Sequence, residues 1–165
     1  MRVKLHIATP EDVADLISLR NATSERLTSL YGKGPWSWQS TERGALFGMT
    51  RSTVYIARCR GRLIATLALS TRKPWAINKT YFAASKRPLY LTSMAVLPDR
   101  QRKGIGRECL EEARRIAKEW PGDAIRLDAF DAEAGAGEFY RKCGFREVGR
   151  VSYRNCPLIY FEMLL

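Results

Sequence analysis

One histidine, His6, serves the whole 165-residue chain. Mechanisms that rest on a histidine base have almost nothing to draw on. The four cysteines, Cys59, Cys109, Cys143 and Cys156, show no Cys-x-x-Cys spacing, so no zinc site is expected. A cysteine nucleophile would want a histidine beside it, and His6 falls in what reads as an early or edge strand. The apolar neighbours of the four thiols predict reduced, mostly buried side chains of the kind common in the cytosol.

Long apolar runs are missing too. No segment approaches the roughly 20 apolar residues of a membrane-spanning helix, and Met1 to Ile7 alternates like a strand rather than reading as a leader. The expectation is a soluble, cytoplasmic protein with no membrane partner. Internal repeats, low-complexity tracts and linkers are absent. With 45% hydrophobic and 27% charged residues, the chain reads as a single globular domain over 1–165. Acidic residues are scarce, 17 against 28 basic ones, for a net charge of +11. That excess calls for an anionic partner or setting: it could steer acidic acceptors, bind nucleic acid or keep the protein dissolved, the last being the favoured reading.

Thr9-Pro10-Glu11-Asp12 offers a capping threonine, a proline at the first helical position and acids in the first turn, so a helix is expected there. Val13, Leu16, Ile17, Leu27 and Leu30 would line its inner side, with Arg20 and Glu25 outward, and Asn21-Ala22-Thr23-Ser24 is placed to break it in two. A short helix over 40–50, starting at Ser40 or Thr41, precedes two strands, 53–59 and 63–69, around the turn Arg60-Gly61-Arg62. Residues 71–88 are too long for a hairpin and are aromatic and basic: either a functional loop or a short helix that covers the sheet. Trp36, Trp38 and Trp75 would line a pocket or pack the first helices.

A strand over 89–97 leads into the most informative stretch, Pro98-Asp99-Arg100-Gln101-Arg102-Lys103-Gly104-Ile105-Gly106-Arg107. A helix from about 104 to 119 follows, with Ile105, Cys109, Ala113, Ile116, Ala117 and Trp120 on one face. Two glycines without Cβ atoms at a strand-to-helix turn let backbone N–H groups approach an anion, and the basic side chains add mobile positive charge. Neither a P-loop nor a dinucleotide fingerprint is present. Beyond lie a strand over 124–130, a helix closed by Cys143-Gly144 with Gly144 in the left-handed conformation, and strands over 145–151 and 158–164.

Gln101-x-x-Gly104-x-Gly106 resembles the Gln/Arg-x-x-Gly-x-Gly/Ala signature of the GNAT superfamily of acetyl-CoA-dependent N-acetyltransferases. Phe139-Tyr140-Arg141-Lys142-Cys143-Gly144-Phe145 resembles the Phe-Tyr-x-Lys-x-Gly-Phe segment that follows the fifth strand in the same superfamily. Two motifs in order, each in its required setting, are more specific than either alone. The resemblance implies an α/β (α+β) fold with a mixed, mostly antiparallel sheet of six to seven strands and helices on both faces. It implies acetyl-CoA as co-substrate and an unidentified amine as acceptor. A homodimer stays open, and a nucleic-acid-binding module or an idle acyl-CoA sensor are the rival readings.

Acetyl transfer from a thioester to an amine needs a neutral amine, stabilisation of the oxyanion and a proton for the departing thiolate. The resemblance gives Tyr140 the proton-donor role, which a phenol protonated at neutral pH can fill, and counts it among the residues that contact the cofactor. It assigns Met94, Ala95 and Val96 to the oxyanion and the pantetheine arm. The backbone N–H groups of Arg102, Lys103, Gly104, Ile105, Gly106 and Arg107 would take the pyrophosphate. Asp128 is the first candidate base, the alternative being a strand acid paired with Arg126 or Lys142; Glu42 and Glu133 are weaker candidates. Glu133 stands where many members have asparagine. Gly135 and Gly137 predict a helix that starts late, nearer Gly137.

Overall fold

The computed structural model describes residues 2–165. In chain order the elements are β1 (His6–Ile7), α1 (Val13–Tyr31), α2 (Glu42–Arg51), β2 (Thr53–Cys59), β3 (Arg62–Ser70), β4 (Pro88–Val96), α3 (Ile105–Glu119), β5 (Ala124–Phe130), α4 (Gly137–Lys142), β6 (Arg146–Tyr153) and β7 (Cys156–Leu164). They form a seven-stranded sheet in the order β1-β2-β3-β4-β5-β7-β6, as expected a mixed α/β arrangement. Among the described residues only the β4–β5 contact is parallel.

Strand alternation divides the apolar residues between two faces. Tyr55 and Ala57 join the cluster beneath α3 and α4, with Leu89, Leu91, Ile125, Leu127 and Phe161. Val54 and Ile56 point the other way, to Leu16 and Leu19 of α1 and Met49 of α2. The helical spacing read from the sequence holds in α3: Ile105, Cys109, Ala113, Ile116 and Ala117 are all buried.

Thr9 and Asp12 close the start of α1 reciprocally, through Thr9 N–H to Asp12 Oδ2 at 2.8 Å and Asp12 N–H to the Thr9 carbonyl at 2.9 Å. The expected break at residues 21–24 is absent, and α1 runs unbroken to Tyr31. Two of the three polar side chains there bond outside the helix, while Thr23 Oγ1 donates back to the Arg20 carbonyl at 2.7 Å without ending it. Asn21 Oδ1 accepts the Ser40 N–H at 2.7 Å, and Ser24 Oγ donates to the Trp36 carbonyl at 2.8 Å, so this face holds segment 36–40. Leu30 is exposed rather than inward, whereas Arg20 is half-buried rather than outward.

Residues 71–88 cover the sheet, as one of the two expectations had it, with a single three-residue helical turn at Lys79–Tyr81. Ile77 and Phe82 are buried against Tyr90 and Tyr160. The segment is pinned by Arg126, whose Nη2 donates to the Ala83 carbonyl at 2.7 Å and whose Nε meets Glu162 Oε2 at 3.0 Å. Arg126 and Glu162 face each other across β5 and β7. The β6–β7 hairpin turns on Arg154 and Asn155, both at positive φ (50° and 62°), so its strands run closer to the turn than the sequence pattern suggested. Of the four thiols only Cys109 is buried; Cys59, Cys143 and Cys156 are half-buried, contrary to the mostly buried set expected. Burial and the charge of Glu108 push the Cys109 thiol up to about 12, which leaves it inert.

Candidate active site

A bulge in β4 creates the site. Thr66 pairs with Ala95 and Ala68 with Thr92, so Leu67 lies opposite two residues, and Ser93 takes a left-handed conformation (φ 52°). On its other side β4 pairs with β5 only over Pro88–Tyr90 against Ala124–Arg126. Beyond Tyr90 the two strands part, and Met94, Ala95 and Val96 lie on the parted half of β4. Their backbone edge toward β5 has no strand partner.

The glycine turn sits at the end of this strand. Gln101 Nε2 donates back to the Val96 carbonyl at 2.9 Å, and Lys103 Nζ to the Asp99 carbonyl at 3.1 Å. Gly104 caps α3 at φ 84°, with no heavy atom within 4 Å of where a Cβ would stand, and no side chain caps the helix. The N–H groups of the first turn therefore face outward, beside the exposed side chains of Arg102, Lys103 and Arg107. That donor set suits a pyrophosphate. Gly106 serves packing: a Cβ there would stand 3.0 Å from Phe139 Cζ. Gly106→Val is expected to displace the Phe139 ring and weaken acetyl-CoA binding roughly tenfold by calorimetry, with helix content unchanged by circular dichroism.

Phe139 and its neighbour Tyr140 belong to α4, which begins at Gly137, late as the two glycines predicted. Gly135 lies in the bend before the helix, where only glycine fits: a Cβ would fall 1.9 Å from the Phe130 carbonyl oxygen. Tyr140 is buried, ringed by Phe139, Phe145 and Phe161 at centroid distances of 5.3, 5.6 and 5.9 Å. Its hydroxyl donates to the sulfur of Met94 at 3.9 Å, across the parting between β4 and β5. Burial, reinforced by the Asp128 carboxylate, raises its pKa above the ordinary phenol value.

Asp128 lies on β5 opposite Tyr160, on the face away from α3 and α4. Neither expected ion pair forms: Arg126 binds Glu162, and Lys142 reaches Glu138 at 3.8 Å. Burial alone raises the Asp128 pKa. Glu42, in the first turn of α2, and Glu133 are exposed and lie outside the grooves.

On the Asp128 face the parting opens into a groove of about 270 Å³ bounded by α1, segment 36–40, the β4 bulge and Phe130. Trp36 packs edge-on against Phe130 at 5.9 Å. Trp36 and Trp38 line this groove, and Trp75 lines a second one beside the β6–β7 hairpin. Arg20, Ser93 and Phe130 were not singled out from the sequence. Arg20 lies on the same helical stripe as Leu16, Thr23 and Leu27, a phase that marks it as inward.

Residues 18–145 match the acetyltransferase (GNAT) family, and the chain belongs to that family of enzymes, which use acetyl-CoA. No curated protein sequence matches the chain. Among solved structures, it is similar to a ribosomal-protein-alanine N-acetyltransferase from Brucella melitensis at 19% identity, covering 98% of this chain and 99% of that one with a TM-score of 0.70. An N-acetyltransferase from Staphylococcus aureus is 16% identical over 99% of both chains, also at a TM-score of 0.70. The protein yncA from Salmonella typhimurium, solved with its cofactor acetyl-CoA, is 15% identical over 100% of this chain and 95% of that one, at a TM-score of 0.70. At these identities the likeness is one of fold.

Proposed function

We propose that the protein transfers an acetyl group from acetyl-CoA to an amine by direct attack within a ternary complex. The observation that carries this reading is the buried Tyr140 hydroxyl, held against a sulfur atom where β4 and β5 part. Acetyl-CoA, when bound, supplies an activated acyl carbon and a thiolate leaving group. The uncapped N-terminus of α3, from Arg102 to Arg107, holds the pyrophosphate, and the unpaired edge of Met94 to Val96 orients the pantetheine amides and the carbonyl oxygen.

Asp128 takes a proton from the incoming amine, directly or through water, and Tyr140 Oη gives one to the departing sulfur. A C–N bond forms as the C–S bond breaks, and the two residues recover their protonation states by exchange with solvent. Burial makes the Asp128 carboxylate a stronger base than usual; it makes the Tyr140 phenol a weaker acid, which holds its proton until negative charge develops on the departing sulfur. Mass spectrometry of acetylation against a panel of amines, with calorimetry of acetyl-CoA binding, tests the reading. Absence of both transfer and binding would reject it.

Asp128→Asn separates role from stability. Turnover is expected to fall roughly a hundredfold. Because the Asp128 pKa is raised in the folded chain, the ionised carboxylate is a cost to folding above that pKa, and the cost vanishes below the unfolded value of 3.8. The variant should therefore melt higher than the wild type at neutral pH and lose that margin as pH falls toward 3.8. The acid limb of kcat/KM in the wild type should lie above the ordinary carboxylate range and disappear in the variant.

A further inference from the structure

Arg20 is the one residue, among those described, with a buried side-chain nitrogen that has no hydrogen-bond partner: its Nε. Its guanidinium forms no ion pair with any described residue either. A buried, unsatisfied donor on a charged group is costly, and native structures hold few of them. Burial pulls the arginine's pKa down, the direction expected of a cation stripped of water without a compensating anion.

What Arg20 does face is the groove of about 270 Å³ on the Asp128 side of the parted strands. The donor's phosphates cannot be its partner. Their clasp belongs to the start of α3, which packs on the opposite face of the sheet from α1. At the other side of the groove stands Phe130, two residues along the same strand face from Asp128 and hence about 7 Å from it. The groove thus has a cation at one wall and, at the other, Phe130 with the Trp36 ring against it and the Asp128 carboxylate two residues away along the strand.

We propose that Arg20 is a specificity-determining residue that binds an oxyanion on the acceptor, so that the substrate is a small molecule bearing both an amine and a carboxylate or phosphonate, of the amino-acid class. This rests on the acetyl-transfer reading of the same site. The guanidinium, which lines the groove and has no carboxylate partner among the described residues, takes two anionic oxygens through its outer edge, and the anion offsets the charge whose burial leaves Nε unpartnered. The amine then lies on the Asp128 side, and an apolar side chain rests on the aromatic wall. A groove of this size suits one such molecule.

The test pairs acceptors that differ only in the anion: leucine, methionine and phenylalanine against their carboxamides and their decarboxylated amines, with the matching 1-aminoalkylphosphonates as a further arm. Transfer from acetyl-CoA is measured for the wild type, Arg20→Lys and Arg20→Met, and binding is followed separately by tryptophan fluorescence in the presence of coenzyme A. The wild type should prefer the acids over the amides by roughly 10- to 100-fold in kcat/KM. Arg20→Met should erase that preference through KM, leaving acetyl-CoA affinity and turnover of the neutral amines unchanged, with Arg20→Lys intermediate. The phosphonate arm shows which oxyanion the fork favours. Equal use of acids and amides by the wild type overturns the proposal, as does an Arg20→Met variant that slows both alike. If no amine of either kind is acetylated although acetyl-CoA binds, the transfer reading fails. Fluorescence then decides for Arg20: binding of the acids lost in Arg20→Met upholds the anion site, and no binding of the acids overturns it.

Discussion

Tyr140→Phe is expected to lower kcat by about 10²- to 10⁴-fold, the range over which a positioned proton donor acts. The affinity for acetyl-CoA should stay unchanged, because the clasp proposed for its pyrophosphate lies in the loop and first turn of α3 rather than in α4. Stability should hold or rise slightly. The hydroxyl's one partner is the Met94 sulfur at 3.9 Å, a weak acceptor, and the ring keeps all three aromatic neighbours after the change. If the tyrosine were only a packed aromatic, phenylalanine would be as good. The phenol's raised pKa means that it holds its proton below pH 10, so its ionisation should not depress the wild-type rate in that range. Steady-state kinetics across pH, with calorimetry of acetyl-CoA on both proteins, measures all of this.

Glu162→Gln is expected to produce the largest loss of stability. The Arg126–Glu162 pair is almost wholly removed from water, with side-chain exposures of 4% and 0% and an Nε to Oε2 distance of 3.0 Å. Neutralising one member leaves a buried guanidinium short of its counter-charge, a cost of about 3–5 kcal/mol. For a chain of this length that is a fall in Tm of roughly 10 °C or more. The loss should be local before it is global. Glu162 Oε1 also accepts the Ala83 N–H at 3.3 Å, and Arg126 stacks on Phe82 at 4.9 Å, so the pair fastens segment 71–88 to the sheet. That segment carries Arg72, Lys79 and Lys86, none of them followed by proline, so limited trypsin digestion should cut it early in the variant and slowly in the wild type. A double variant, Arg126→Met with Glu162→Met, should recover much of the stability, because a buried pair gains little over apolar side chains of similar size.

That pair also shows where reading the sequence stops. Local signals carried most elements: the Thr9-Pro10 start, the α3 stripe, Gly144 as a left-handed stop and the late start of α4 are each written within a few neighbouring residues. The glycine turn and Tyr140 were legible for the same reason. Arg126 and Glu162 are 36 residues apart, and nothing near either announces a buried partner. Asp128 was assigned as a possible partner of Arg126 because both lie on β5, whereas the alternation of β7 against β5 hands Arg126 to Glu162 instead. The residues 21–24 looked like a helix break because Asn, Thr and Ser favour caps and turns. The bonds of Asn21 and Ser24 to 36–40 are tertiary and override that preference. Arg20 was read outward by chemistry although its helical phase pointed inward; the groove that accounts for the discrepancy exists only once β4 has bulged.

The three residue pairs that join β4 to β5 are the whole ladder between the four strands on one side of the sheet and the three on the other. Met94 and the glycine turn ride on the first block, Asp128 on the second, and α4 brings Tyr140 across the seam because Gly106 leaves room for the Phe139 ring. An extended molecule with amide groups of its own, laid along that seam, would act as a missing strand and tie the blocks together. Occupancy of the site thereby becomes part of what holds the sheet closed, and the melting temperature should climb with donor concentration as mass action requires.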